Sequence, residues 1–176
     1  MAFLIRKINY NKWLACKDLA KEKYHADAIT VCTKTSGNTL SVWRAEAEGL
    51  ESEANKPIIT AIATIMNKLD LLDLVLLNEE DFIKNGISLV ENDGDSKIEQ
   101  LNNQHRDLAE IDYEKLGFVA EKIVEALSLE GRYLRVPKAD VATLLHAHYG
   151  EGLADSPLEP KLKEEVTKNV TRRAAR

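Results

Sequence analysis

Two cysteines in 176 residues are too few for a disulfide scaffold. Cys16 and Cys32 form no CxxC pair, so both read as small buried or half-buried thiols rather than half of a zinc site. Proline and glycine are sparse, at four and eight, while apolar residues make up 44% of the chain. That combination excludes a collagen-like or largely disordered polypeptide. No run reaches the roughly 20 apolar residues of a membrane helix, because Lys68, Asp70 and Asp73 break the longest stretch. Met1 to Ile5 are apolar but Arg6 and Lys7 follow them, the reverse of a signal peptide's order. The expected location is therefore the cytoplasm. Aromatics are only 6% of residues, few for stacking single-stranded bases. No GxSxG, HExxH or GxGxxG motif and no internal repeat occurs.

What is present is charge, unevenly placed. Residues 1–68 hold 10 basic and 7 acidic side chains, residues 69–130 hold 5 and 16, and residues 131–176 hold 9 and 6. A net of -11 in the middle third thus lies between two ends of +3 each, beneath an overall -5. Such a block serves either as solvated helix faces or as a surface for a basic partner.

The pattern of residues predicts an α+β fold. Strands are expected at Phe3–Ile8, Ala28–Lys34, Thr39–Ala45, Asp73–Leu77, Ile87–Glu91 and Arg132–Val136. The second and third would form an N-terminal hairpin around Thr35-Ser36-Gly37-Asn38. Helices are expected over 11–23, from Pro57 to Leu69, over 79–85 behind an Asn78 cap, over 112–130 behind an Asp112 cap, from Pro137 to Gly150, and over 159–170. Residues 97–111 are polar and weakly periodic, and read as a long loop or frayed helix. The resulting picture is a single small mixed or antiparallel sheet containing the hairpin. The long helices at 57–69 and 112–130 pack one of its faces, and a helical segment ends the chain. Residues 1–150 form the domain; 151–176 are a linker, a terminal helix and a basic, disordered tail.

Few motifs carry chemistry. His105-Arg106-Asp107-Leu108 spells the start of a kinase catalytic loop, but Asp112 stands where Asn is needed and no phosphate loop exists. Its His, Arg and carboxylate still form the one candidate for anion or proton handling, against the simpler reading of a surface turn. Asp93-Gly94-Asp95 opens like a calcium loop, yet Ile98 and Gln104 fall where Gly and Glu are required. His146 and His148 diverge on a helix and cannot share a metal; one is expected buried and one exposed. His25 and Asp27 have no third partner. Trp43 and Arg44 alternate on a strand, so Trp43 is expected in the core and Arg44 on the surface, where arginine favours binding. The C-terminal basic residues Lys161, Lys168, Arg172 and Arg173 complete the candidate binding set. No metal or cofactor is implied.

These features favour a non-catalytic subunit, regulator or inhibitor that binds another protein, or a second copy of itself, through its charged surface and terminal helix. The alternatives are a small enzyme or ligand-binding domain using His105, Arg106 and Asp107, and a nucleic-acid-associated protein using the basic C-terminal segment. The net negative charge weighs against the last.

Overall fold

The apolar run Phe3-Leu4-Ile5 and Ile8 make Phe3–Ile8 the first strand, β1, and its place in the sequence order belies its place in space. It lies between β2 (Leu40–Arg44) and β3 (Leu72–Asn78). Beyond β2 come β5 (His105–Ala109) and then β4 (Ser88–Glu91); beyond β3 comes β6 (Tyr133–Val136). The order is β4-β5-β2-β1-β3-β6, with every neighbour antiparallel. The computed structural model describes residues 2–33 and 37–175.

Both faces of this sheet are covered. Phe3, Ile5, Trp43, Leu72, Leu74 and Leu76 belong to one core, with side chains from α3 (Lys56–Thr64), α6 (Lys138–Tyr149) and α7 (Pro160–Ala174). Leu4, Ile8, Val42, Val75 and Leu77 belong to the other, with α5 (Tyr113–Ala126) and the short helices α1 (Tyr10–Leu14), α2 (Ala26–Cys32) and α4 (Glu79–Lys84). An interior strand packed on both sides is largely apolar, which is why Leu74–Leu77 of β3 reads as a continuous run. Each fully buried aliphatic side chain contributes about 1.5–3 kcal/mol.

The α+β class, the single sheet and the C-terminal helix match expectation. Several details do not. The first strand of the expected hairpin is helix α2 up to Cys32, while Lys34, Thr35 and Ser36 lie outside the described residues. Ile29, Thr30 and Val31 have strand propensity, but burial runs at i, i+4 through Ala28 and Cys32, and Thr30 and Thr33 bond back to the carbonyls of Ala26 and Ile29. Strand propensity reflects packing on a pleated surface, and no such surface is available here. β2 pairs instead with β1 and β5. The two long helices cover opposite faces, not one. Helix α3 ends at Thr64, leaving Ile65 exposed, and α5 ends at Ala126, with Tyr113 94% exposed and outside its buried stripe. The helix expected over 11–23 is only α1 and a single turn at Lys21–Lys23.

The segment from Leu153 to Val166 is held by packing. Leu153, Ser156 and Leu158 are buried, and Leu162 and Val166 enter the first core. Helix α7 runs to Ala174, so the expected disordered tail is helical there; Arg176 lies outside the described residues.

Candidate functional site

His105, Arg106 and Asp107 do not form a surface turn. They make up most of β5, between β2 and β4, and are 7%, 8% and 7% exposed. Alternation divides them: His105 and Asp107 pair with Trp43 and Ser41 on one face, and Arg106 pairs with Val42 on the other. His105 Nδ1 lies 2.7 Å from the Asn92 carbonyl, and the Asn92 amide donates to Asp107 at 2.6 Å. A carbonyl can only accept, so that ring nitrogen carries the proton. Trp43 packs edge-on against the imidazole, with ring centroids 5.2 Å apart. Gly94 closes the loop above them: a Cβ there would sit 2.6 Å from the Trp43 ring. Arg106 donates to the carbonyls of Asn103 and His105 and pairs with Glu91 at 3.2 Å. These polar groups tie the 92–104 segment onto the sheet. None of the cavities described below is lined by them.

The remaining candidates lie apart in the sequence and on two elements. Arg44 is exposed on β2, 3.8 Å from Glu79, and Trp43 beside it is buried as expected. Lys161, Lys168, Arg172 and Arg173 are exposed on α7. Lys168 pairs with Glu164 at 2.5 Å, and Arg173 with Asp140 at 3.1 Å and Thr143 Oγ1 at 2.8 Å. Lys168 and Arg172 border a hollow of about 370 Å³ whose lining comes from α7 and Ala175 just beyond it. Cys16 and Cys32 are buried free thiols. His146 and His148 are both exposed, contrary to the expectation that one would be buried. Among the described residues no three His, Cys, Asp or Glu side chains gather as metal ligands.

A different cluster stands out at the β3–β6 end of the sheet. Asp73 is 4% exposed in the apolar strand β3. Arg135, directly opposite on β6, donates from Nε to Oδ1 at 2.7 Å and from Nη2 to Oδ2 at 3.1 Å. The Tyr133 hydroxyl donates to Oδ1 at 2.8 Å, and the Tyr10 N–H reaches Oδ2 at 3.4 Å. Tyr10 and Tyr133 stack at 4.7 Å, and the guanidinium of Arg135 lies 4.9 Å from the Tyr10 ring centre. Burial, and then the Asp73 carboxylate, raise the Tyr133 phenol above its ordinary value. Hydrogen bonding to Asp73 raises the Arg135 guanidinium in turn. One sequence signal pointed here, a lone carboxylate within Leu72–Leu77, because a buried charge requires partners.

This cluster stands on an open sheet edge. Leu76 N–H donates to the Arg132 carbonyl at 2.8 Å, and on the other side of β3 Glu79 N–H donates to Ala2. Both bonds place the same alternation on the ladder. Leu134 and Val136 turn their main-chain groups towards β3, and Tyr133 and Arg135 turn theirs outward. Beside that edge runs a groove of about 360 Å³. Leu50, Ile59, Leu134, Val136 and Leu144 provide its apolar lining, and α6 forms one bank. A second cavity, bordered by Asn78, Lys122 and Arg132, measures about 130 Å³, below the usual range of a ligand pocket.

No family model, curated protein or solved structure matches the chain. No helix among the described residues is long and apolar enough to cross a membrane.

Proposed function

We propose that the protein is a non-catalytic cytoplasmic interaction subunit or regulator that binds an extended segment of another protein along β6. The observation that carries this reading is the conjunction of outward main-chain groups at Tyr133 and Arg135 with the apolar groove beside them. An added strand gains affinity from main-chain hydrogen bonds and selectivity from alternate side chains entering a pocket. The strand–groove–helix arrangement of β6 and α6 supplies both. The catalytic alternative has less support, because His105, Arg106 and Asp107 are engaged with Asn92, Asn103 and Glu91. The nucleic-acid alternative has less as well, since Lys168 and Arg173 on α7 are paired within the chain.

Selection of random peptides displayed against the full chain tests the reading. Enriched peptides are expected to carry alternating apolar residues and to protect the Tyr133 and Arg135 amides from hydrogen exchange. Leu144→Asp, which places a charge in the groove, should abolish their binding with the fold retained by circular dichroism. Binders that protect other amides and bind the variant equally would overturn it.

A further inference from the structure

The β6 register specifies more than a site. Resting on the reading above, we infer that the segment bound at β6 has an apolar–acidic–apolar pattern, and that its central carboxylate meets Arg135.

Alternation along β6 sets the pattern. A strand added antiparallel to β6 places one residue opposite each of Leu134, Arg135 and Val136, on the same face as its counterpart. Leu134 and Val136 line the groove together with Leu50, Ile59 and Leu144, so the outer two residues of the triplet enter an apolar channel. The middle residue lies on the opposite face, beside Arg135. Because the main-chain groups of Arg135 point outward, that residue forms a hydrogen-bonded pair with it, exchanging both N–H and C=O.

Charge selects the middle side chain. Arg135 spends Nε and Nη2 on Asp73, which leaves Nη1 without a carboxylate partner on a side chain 40% exposed. The guanidinium is held by that two-point contact and by the Tyr10 ring, so little side-chain freedom remains to be lost. An incoming Glu or Asp would extend the charge alternation across the sheet from Asp73 to Arg135 to the partner. A Lys or Arg there would face Arg135 directly. The groove's rim does not impose its own sign, because Glu51 and Asp140 border it together with Lys56.

The test uses fluorescein-labelled decapeptides centred on Leu-Glu-Leu or Leu-Lys-Leu, titrated against the full chain by polarisation. The Glu peptide should bind about two- to fivefold more tightly, the range of a cross-strand charge pair. Arg135→Gln should remove that preference. N-methylation of the central Glu should abolish binding, whereas N-methylation of the following Leu, whose N–H faces away from β6, should not. The peptide modifications leave the protein untouched, so a folding defect in the Arg135 variant cannot hide the answer. Equal binding of both peptides, with both lost in Leu144→Asp, would overturn the acidic pattern and leave the edge reading standing. Failure of both peptides to bind at millimolar concentration, or self-association through β6 that the peptides do not disrupt, would overturn both.

Discussion

Asp73 shows how one side chain organises its surroundings. Its carboxylate accepts from Tyr133, from Arg135 at two points and from the Tyr10 main chain, all in a buried position. Asp73→Ala should cost about 3 kcal/mol by urea denaturation, because it leaves three polar partners without their acceptor at once. Tyr133 links the cluster to pH. Its folded-state pKa is raised above the ordinary 10.0, so the folded chain holds this proton more tightly than the unfolded chain does. The resulting stabilisation is full below the unfolded value and is lost as pH rises through the folded one. Unfolding titrations of Tyr133→Phe should therefore show a shallower loss of stability above about pH 10. At Gly94 the issue is space. Gly94→Ala would push a methyl to within 2.6 Å of Trp43 and 3.0 Å of His105 Cβ. A loss of about 1–3 kcal/mol is expected by thermal denaturation, with the 92–104 segment loosened first.

Elements whose signals are local follow the sequence closely. Asp112 Oδ1 accepts from Lys115 N–H at 2.9 Å at the start of α5, and Asn78 Oδ1 accepts from Glu80 N–H at 3.1 Å at the start of α4. Asp112→Ala should cost about 1 kcal/mol in equilibrium unfolding. β1, β3 and β6 carry apolar patterns that need no knowledge of neighbours. Helix α2 and strand β5 are different. The Ile29–Val31 run is helical because burial there repeats every four residues. β5 is hidden by polar side chains that become buried only because Asn92, Asn103 and Glu91, brought from outside the strand, accept their hydrogen bonds or donate to them. A sequence window holds no record of such partners. The cluster at Asp73 was half legible for the same reason: the isolated carboxylate is visible in the sequence, but its pairing with residues 60 and 62 positions away is not.

Across the molecule, folding mixes the charges that the sequence keeps apart. Asp73 and Glu79 of the acidic middle third pair with Arg135 and Arg44 from the two basic ends, and Glu121 with Lys21. Segregated charge is thus partly internal complementarity, and the open edge of β6 is the stronger ground for a partner. Helix α7 likewise serves the whole fold, since Leu162 and Val166 share a core with β1, β3, α3 and α6. Its contacts continue through Glu165, which accepts from the Leu69 N–H at 2.8 Å. Truncation after Pro157 should lower the melting temperature of the remaining chain, measured by calorimetry, rather than release an independent domain unchanged.

By itself the sequence determined the fold class, the capped helices and the interior strand, because capping, turn chemistry and apolar periodicity act within a few residues. Tertiary structure alone decided the strand order, the burial of His105-Arg106-Asp107, the helical state of α2 and the exposure of the β6 edge. Each of these depends on which segment lies alongside, and that choice is made by closing the two cores around the sheet.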